Sequence, residues 1–179
     1  METVKQKEKK SYAVLKETFG YKNVMAAPHL TKVVVSVGTG GAMKRDKNRN
    51  DFIVARLAKI TGQKPATRAA KKSVASFKIR TGDPIGVVVT LRGARMYSFL
   101  DKLINVAIPR TKDFRGIDSK IVDNIGNLTM SIKEHTIFPE TGDEELKDVF
   151  GMGVTLVTTA KTKKEATAFF THIGIPFKK

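Results

Sequence analysis

The chain contains no cysteine and no tryptophan. Without thiols it has no disulfide framework, no thiolate nucleophile and no cysteine-ligated zinc, so stability must come from a packed core. No apolar run approaches the roughly 20 residues that a membrane-spanning helix needs. The opening METVKQKEKKSY lacks the apolar stretch of a secretion signal. Together these absences point to the cytoplasm and away from a membrane. Acid is scarce relative to base. Asp and Glu total 17 against 33 Lys and Arg, a net charge of +16. None occurs between Asp51 and Asp83. Self-repulsion of that size is tolerated when a polyanion neutralises it, which makes nucleic acid the leading partner class and an anionic membrane surface the weaker alternative.

What is present suits a globular protein. Hydrophobic residues are 41% and charged residues 28% of 179, enough for a single domain with its own core or for two small ones. Residues 3–19 read as a helix, with Tyr12, Leu15 and Phe19 on one face and Gly20 as its stop. Residues 30–37 read as a strand in which Val33, Val35 and Val37 alternate with Lys32, Val34 and Ser36. A second helix over 51–61 buries Ile53, Leu57 and Ile60 and ends at Gly62. A short strand over 63–69 carries Pro65, which suits an edge or a strand start. Residues 85–92 form the surest strand, with Ile85, Val87, Val89 and Leu91 facing a core. The helix over 94–106 has the strongest amphipathic signal, through Met96, Phe99, Leu100, Leu103, Ile104 and Ala107, and Pro109 closes it. Alternation over 127–134 and a β-branched run over 154–159 predict two more strands. Thr162 and Glu165 form a capping box before a final helix that buries Ala166, Phe169, Phe170 and Ile173.

Strands and helices intermix, and each strand has one apolar face. That predicts an α+β fold, a mostly antiparallel sheet with helices packed on one face in two layers. The other face then carries Ser36, Thr90, Arg92, Thr129, Ser131, Lys133 and Thr155. RNA-binding sheets that stack bases present aromatics there, and this one presents hydroxyls and cations. It therefore suits a folded RNA met by shape, with hydroxyls near 2′-OH groups and Arg or Lys on phosphates. No basic recognition helix for a DNA major groove is visible.

Charge concentrates in the stretch 62–95. Lys64, Arg68, Lys71, Lys72, Lys78 and Arg80 precede the strand, and Arg92 and Arg95 follow it. A solvated charge run rarely interleaves Val74, Phe77 and Ile79 with Gly and Pro punctuation, so residues 70–84 read as a projecting basic loop, mobile when free. A second basic loop runs over 110–116, and an acidic window with Glu140, Asp143, Glu144, Glu145 and Asp148 follows. That window is either a solvated loop or a surface for a basic protein.

Catalysis is weakly supported. The turn Gly38-Thr39-Gly40-Gly41 follows a strand but lacks dinucleotide spacing and the Gly-Lys-Ser/Thr end of a P-loop, so it predicts no cofactor. His29, His135 and His172 are scattered without metal-ligand spacing. No nucleophile motif appears. The chain reads as a non-enzyme.

The motifs GQKP at 62–65, KSVASFKIR at 72–80, PIGVVVTLRG at 84–93, IPRTKDFRG at 108–116 and IFPE at 137–140 stand in one order. In them, from about Tyr12 to the C-terminus, the chain resembles the bacterial large-subunit ribosomal protein five family, which binds 5S rRNA. The resemblance implies a cytoplasmic protein of the ribosome with 5S rRNA, 23S rRNA of the central protuberance, P-site tRNA, small-subunit ribosomal protein thirteen and other large-subunit proteins as partners. It implies Ser36, Gln63, Lys64, Thr90 and Arg92 for 5S rRNA. Ser36 stands where the family usually has Asn. It implies a tRNA-contacting loop with Lys71, Lys72, Ser73, Phe77, Lys78 and Arg80, in which Ser76 replaces a usual Gly. For an intersubunit bridge it leaves two candidates, the 110–118 loop with Arg110, Lys112 and Arg115, and the 140–148 window with Glu140, Asp143 and Glu144.

Overall fold

A computed structural model describes residues 2–40, 49–112, 114–142 and 149–178. Local signals set the first helix, α1 (Val4–Phe19). Thr3 Oγ1 accepts the Gln6 N–H at 3.3 Å, and Gln6 Oε1 accepts the Thr3 N–H at 3.0 Å. This reciprocal cap satisfies two otherwise orphaned donors. Gly20 ends the helix at φ 66°, a conformation that costs glycine no Cβ clash.

Five strands follow the expected order: β1 (Leu30–Gly38), β2 (Ala66–Ala69), β3 (Pro84–Leu91), β4 (Leu128–Ile132) and β5 (Met152–Thr158). They form one sheet in the spatial order β2-β3-β1-β5-β4. β2 pairs antiparallel with β3, with Ala66 opposite Val88 and Arg68 opposite Gly86, and sits at the sheet edge where Pro65 is tolerated. The sheet is antiparallel elsewhere as well. Bonds at the strand ends extend it: Thr39 N–H bonds Ile85 O at 2.8 Å, Thr159 N–H bonds His29 O at 3.1 Å, and Thr158 Oγ1 bonds Gly126 O at 2.6 Å. The α+β reading of the sequence is borne out.

The described residues fall into two compact units. One contains 34–91 and 131–153. In it, α2 (Arg49–Thr61) packs on β3 and β2. Ile53, Leu57 and Ile60 are buried, as are Val35, Val37, Val87, Val89 and Leu91 from the strands. The other unit contains 1–33, 92–130 and 154–179. There α1 packs on α3 (Gly93–Lys102) and α4 (Lys163–Ile173). Phe169, Phe170, Leu100, Leu103, Leu128 and Leu156 are fully buried in it, and each such side chain contributes roughly 2 kcal/mol of transfer free energy.

Two helix details differ from the sequence reading. After Lys102, α3 continues through a π turn, Leu103–Ala107, and one last turn, Ile108–Arg110. Ile108 N–H bonds Leu103 O, five residues back. Pro109 has no N–H to donate and its ring crowds the preceding turn; the widened turn accommodates it, so the chain stays helical through the proline. The expected capping box of α4 is only half formed. Thr162 Oγ1 accepts the Glu165 N–H at 3.3 Å, but Glu165 Oε2 accepts from Lys161 N–H at 2.8 Å instead of from Thr162. The other oxygen of Glu165 takes the Tyr21 hydroxyl, which draws the carboxylate past the cap.

Candidate nucleic-acid interface

β1 and β3 are neighbours, and Lys32, Val34 and Ser36 of β1 and Gly86, Val88 and Thr90 of β3 alternate with the buried core positions. Ser36 and Thr90, among them, are half-buried. Ser36 Oγ reaches Gly153 O at 3.5 Å, the long limit of a hydrogen bond. A Cβ on Gly153 would lie only 3.2 Å from that oxygen, so glycine leaves Ser36 uncovered. The role of Gly153 was missed in sequence, because nothing local marks it.

Gln63 follows the left-handed Gly62, at φ 67°. Its Nε2 donates to Thr90 O at 3.2 Å. Two motifs lying 27 residues apart are thus joined by one bond, and the Gln63 amide is held against the end of β3. Lys64 is exposed beside it, and Pro65 is buried beneath. Arg92 lies two residues after Thr90, exposed and extended at φ −139°, where it begins α3 without a side-chain cap. In the unit that Arg92 enters, Thr129 Oγ1 and Thr155 Oγ1 lie 3.1 Å apart. Paired hydroxyls of this kind can accept and donate toward ribose.

The basic loop is a small hairpin. Val74 and Ile79 exchange N–H···O bonds of 2.9 and 3.2 Å, and Lys78 N–H bonds Ala75 O at 2.9 Å across the tip. At its neck Ala70 N–H bonds Asp83 O at 2.8 Å and Gly82 N–H bonds Ala70 O at 3.0 Å. Ser73 Oγ accepts the Thr81 N–H at 2.9 Å. Lys71, Lys72, Lys78 and Arg80 lie along it, the three lysines and Phe77 well exposed. The left-handed position of the tip is Lys78, at φ 50°, rather than Ser76, so a serine at 76 needs no glycine-like backbone.

The loop after α3 is clamped to the C-terminal tail. Ile117 N–H bonds Pro176 O at 2.8 Å, and Lys178 N–H bonds Ile117 O at 2.9 Å. Gly116, at φ 92°, lies so close to Lys178 that a Cβ would meet its nitrogen at 2.8 Å. Arg110, Lys112 and Arg115 are exposed along this loop. Glu140 is exposed in the short 3-10 turn Pro139–Thr141. Asp143 and Glu144 lie outside the described residues.

The histidines serve the fold. His135 is fully buried, stacks on Phe150 at 3.9 Å and accepts the Phe150 N–H through Nδ1 at 3.2 Å. His172 Nε2 donates to Lys7 O at 2.7 Å, while Lys7 Nζ donates to Ile173 O at 3.0 Å. His29 Nδ1 meets Thr159 Oγ1 at 3.1 Å. Among the described residues no group of three His, Asp or Glu is placed to hold a metal, and no helix is long and apolar enough to cross a membrane.

A strongly basic α+β protein that exposes cations and hydroxyls has the character of a nucleic-acid-binding protein. Residues 23–80 match the family described as ribosomal protein L5, and residues 84–177 match the model of that ribosomal family's C-terminus. The chain is 52% identical to large ribosomal subunit protein uL5 of Desulforamulus reducens over 165 residues, covering 92% of this chain and 91% of that one. It is 51% identical to the uL5 of Flavobacterium johnsoniae over 167 residues, covering 93% and 91%. It is 49% identical to the uL5 of Desulforapulum autotrophicum over 179 residues, covering 99% of both. The chain belongs to the ribosomal protein L5 family. It is a structural constituent of the large ribosomal subunit and not an enzyme.

Proposed function

We propose that the chain binds 5S rRNA through Ser36, Gln63, Lys64, Thr90 and Arg92 and helps anchor it to 23S rRNA in the central protuberance. In the same reading it acts as a single domain, and its basic hairpin, 70–84, projects to contact P-site tRNA. The observation that carries the 5S assignment is the bond from Gln63 to Thr90 O, which holds the GQKP and VTLRG motifs together. An amide fixed in this way loses little entropy when RNA binds. The division of roles rests on chemistry: hydroxyls and an amide on a sheet suit a permanent partner, and cations on a hairpin suit one that comes and goes.

For the intersubunit bridge, the 110–118 loop is favoured by its clamp to the C-terminal tail. The acidic 140–148 window is favoured by charge complementarity with a basic small-subunit protein such as protein thirteen.

The test is 5S rRNA binding and footprinting with two variants of the full chain. Arg92→Ala is expected to weaken 5S affinity by roughly 1–3 kcal/mol. Lys71→Ala with Lys72→Ala is expected to leave 5S affinity nearly unchanged and to weaken tRNA contact in assembled subunits. Equal 5S losses from both variants would refute the division of roles.

A further inference from the structure

We propose that Phe77 is a stacking platform for one nucleobase whose face is exposed at a bend of folded RNA. The proposal rests on the reading of the hairpin as a tRNA contact and names the chemistry by which that contact is made.

Phe77 is 63% exposed, the most exposed phenylalanine or tyrosine among the described residues. Leaving a phenylalanine in water forgoes one of the largest apolar contributions that a side chain can make. It occupies the tip of the hairpin, within the turn closed by Lys78 N–H and Ala75 O at 2.9 Å. The frame beneath is pinned. Val74 and Ile79 exchange two backbone bonds, and Ile79 Cδ1 packs 3.5 Å from where a Cβ on Gly40 would sit. Lys78 holds φ 50°, a left-handed conformation that a lysine keeps only where surrounding bonds impose it. Phe77 is thus presented on a preorganised tip, which lowers the entropic cost of a contact.

The surroundings choose the occupant. Lys71, Lys72 and Lys78 are exposed on this hairpin, and Arg80 lies beside them. Its single carboxylate, Asp83, is occupied by the Arg80 N–H at 2.7 Å. An apolar pocket of a protein would have to meet those cations with acids. RNA supplies a phosphate next to every base, so charge and stacking are satisfied by the same molecule. Bases inside a duplex are covered on both faces, which leaves an unstacked or end-exposed base as the ligand.

The experiment uses large subunits assembled with the full chain and measures tRNA affinity across a salt series. Phe77→Ala and Phe77→Leu are expected to weaken tRNA binding roughly tenfold, while Phe77→Tyr stays near wild type. The salt slope should not change with Phe77→Ala and should flatten with Lys71→Ala and Lys72→Ala together. Wild-type affinity in Phe77→Leu would overturn stacking, because apolar bulk alone would suffice. If Phe77→Ala binds normally while the lysine variant loses affinity, stacking is wrong and the tRNA contact stands. If neither variant loses affinity, the tRNA reading fails and takes the proposal with it. Intact tRNA affinity with weakened subunit joining would assign the ring to the other subunit and also overturn it.

Discussion

At the scale of single residues, two side chains carry more than their sequence context suggests. Glu8 sits on the inner side of α1. Desolvation pushes its carboxyl above the ordinary value of 4.5, while the Tyr97 hydroxyl and the Leu30 N–H pull the other way. The same burial, with the Glu8 charge beside it, pushes the Tyr97 phenol up to about 12. A raised carboxyl pKa means that the folded protein holds this proton more tightly than the unfolded chain does. The resulting stability is complete below pH 4.5 and is lost as pH rises through the raised value. Glu8→Gln removes the cost of the charge. It is expected to raise Tm at pH 7, with the gain shrinking as pH falls toward 4, and thermal melts across that range check it. Ser36 is the second case. Its hydroxyl only just reaches Gly153 O, and the glycine leaves room above it. Ser36→Asn adds an amide that donates and accepts at once. It is expected to tighten 5S rRNA binding several-fold, about 1 kcal/mol, as measured by filter binding. Weaker binding would mean that the serine takes part in a contact of its own.

At the scale of elements, the hairpin and the helix clasp show how order is distributed. Asp83 accepts the Arg80 N–H at 2.7 Å and is the one acid of the hairpin. By charge alone, Asp83→Ala would tighten any RNA contact. By structure it loosens the neck, at a local cost of roughly 1 kcal/mol. The expected outcome is faster hydrogen exchange at the Val74, Ile79 and Thr81 amides, weaker tRNA binding by assembled subunits and unchanged 5S affinity. Tighter tRNA binding would show that charge, and not presentation of the tip, governs this contact. α1 is held differently: Lys7 Nζ reaches Ile173 O at the C-terminal end of α4, and His172 returns a bond to Lys7 O. A cation at a helix C-terminus also meets the negative end of its dipole. Periodicity in the sequence exposed the buried stripes of α2 and α3 and the inward positions of β3, because burial repeats at the period of each element. It did not expose the Val74–Ile79 pair, since a single bridge is too short to alternate. Nor did it expose the π turn, which depends on how the chain approaches Pro109.

At the scale of the whole molecule, charge governs. A net +16 on 179 residues means that association with RNA releases condensed counterions. Four phosphate contacts would cost roughly a hundredfold in 5S affinity between 50 and 200 mM salt. The check is a titration of the full chain with 5S rRNA over that range, in parallel with bulk duplex DNA. A flat response would argue against phosphate contacts, and equal affinity for both polymers would reduce the interaction to charge alone.

The sequence by itself determined the class of partner, the α+β fold and the inward face of each long element. Those follow from summed charge and from short-range periodicity, both carried by neighbouring residues. It also carried the family, through ordered motifs from 62 to 140. Only the tertiary structure decided that Gln63 is tied to Thr90, that Gly153 leaves Ser36 uncovered and that residues 70–83 close on themselves as a hairpin with Phe77 at its tip. Each of these depends on bonds or clearances between residues that chain folding brings together, and no pattern along the chain encodes a distance across it.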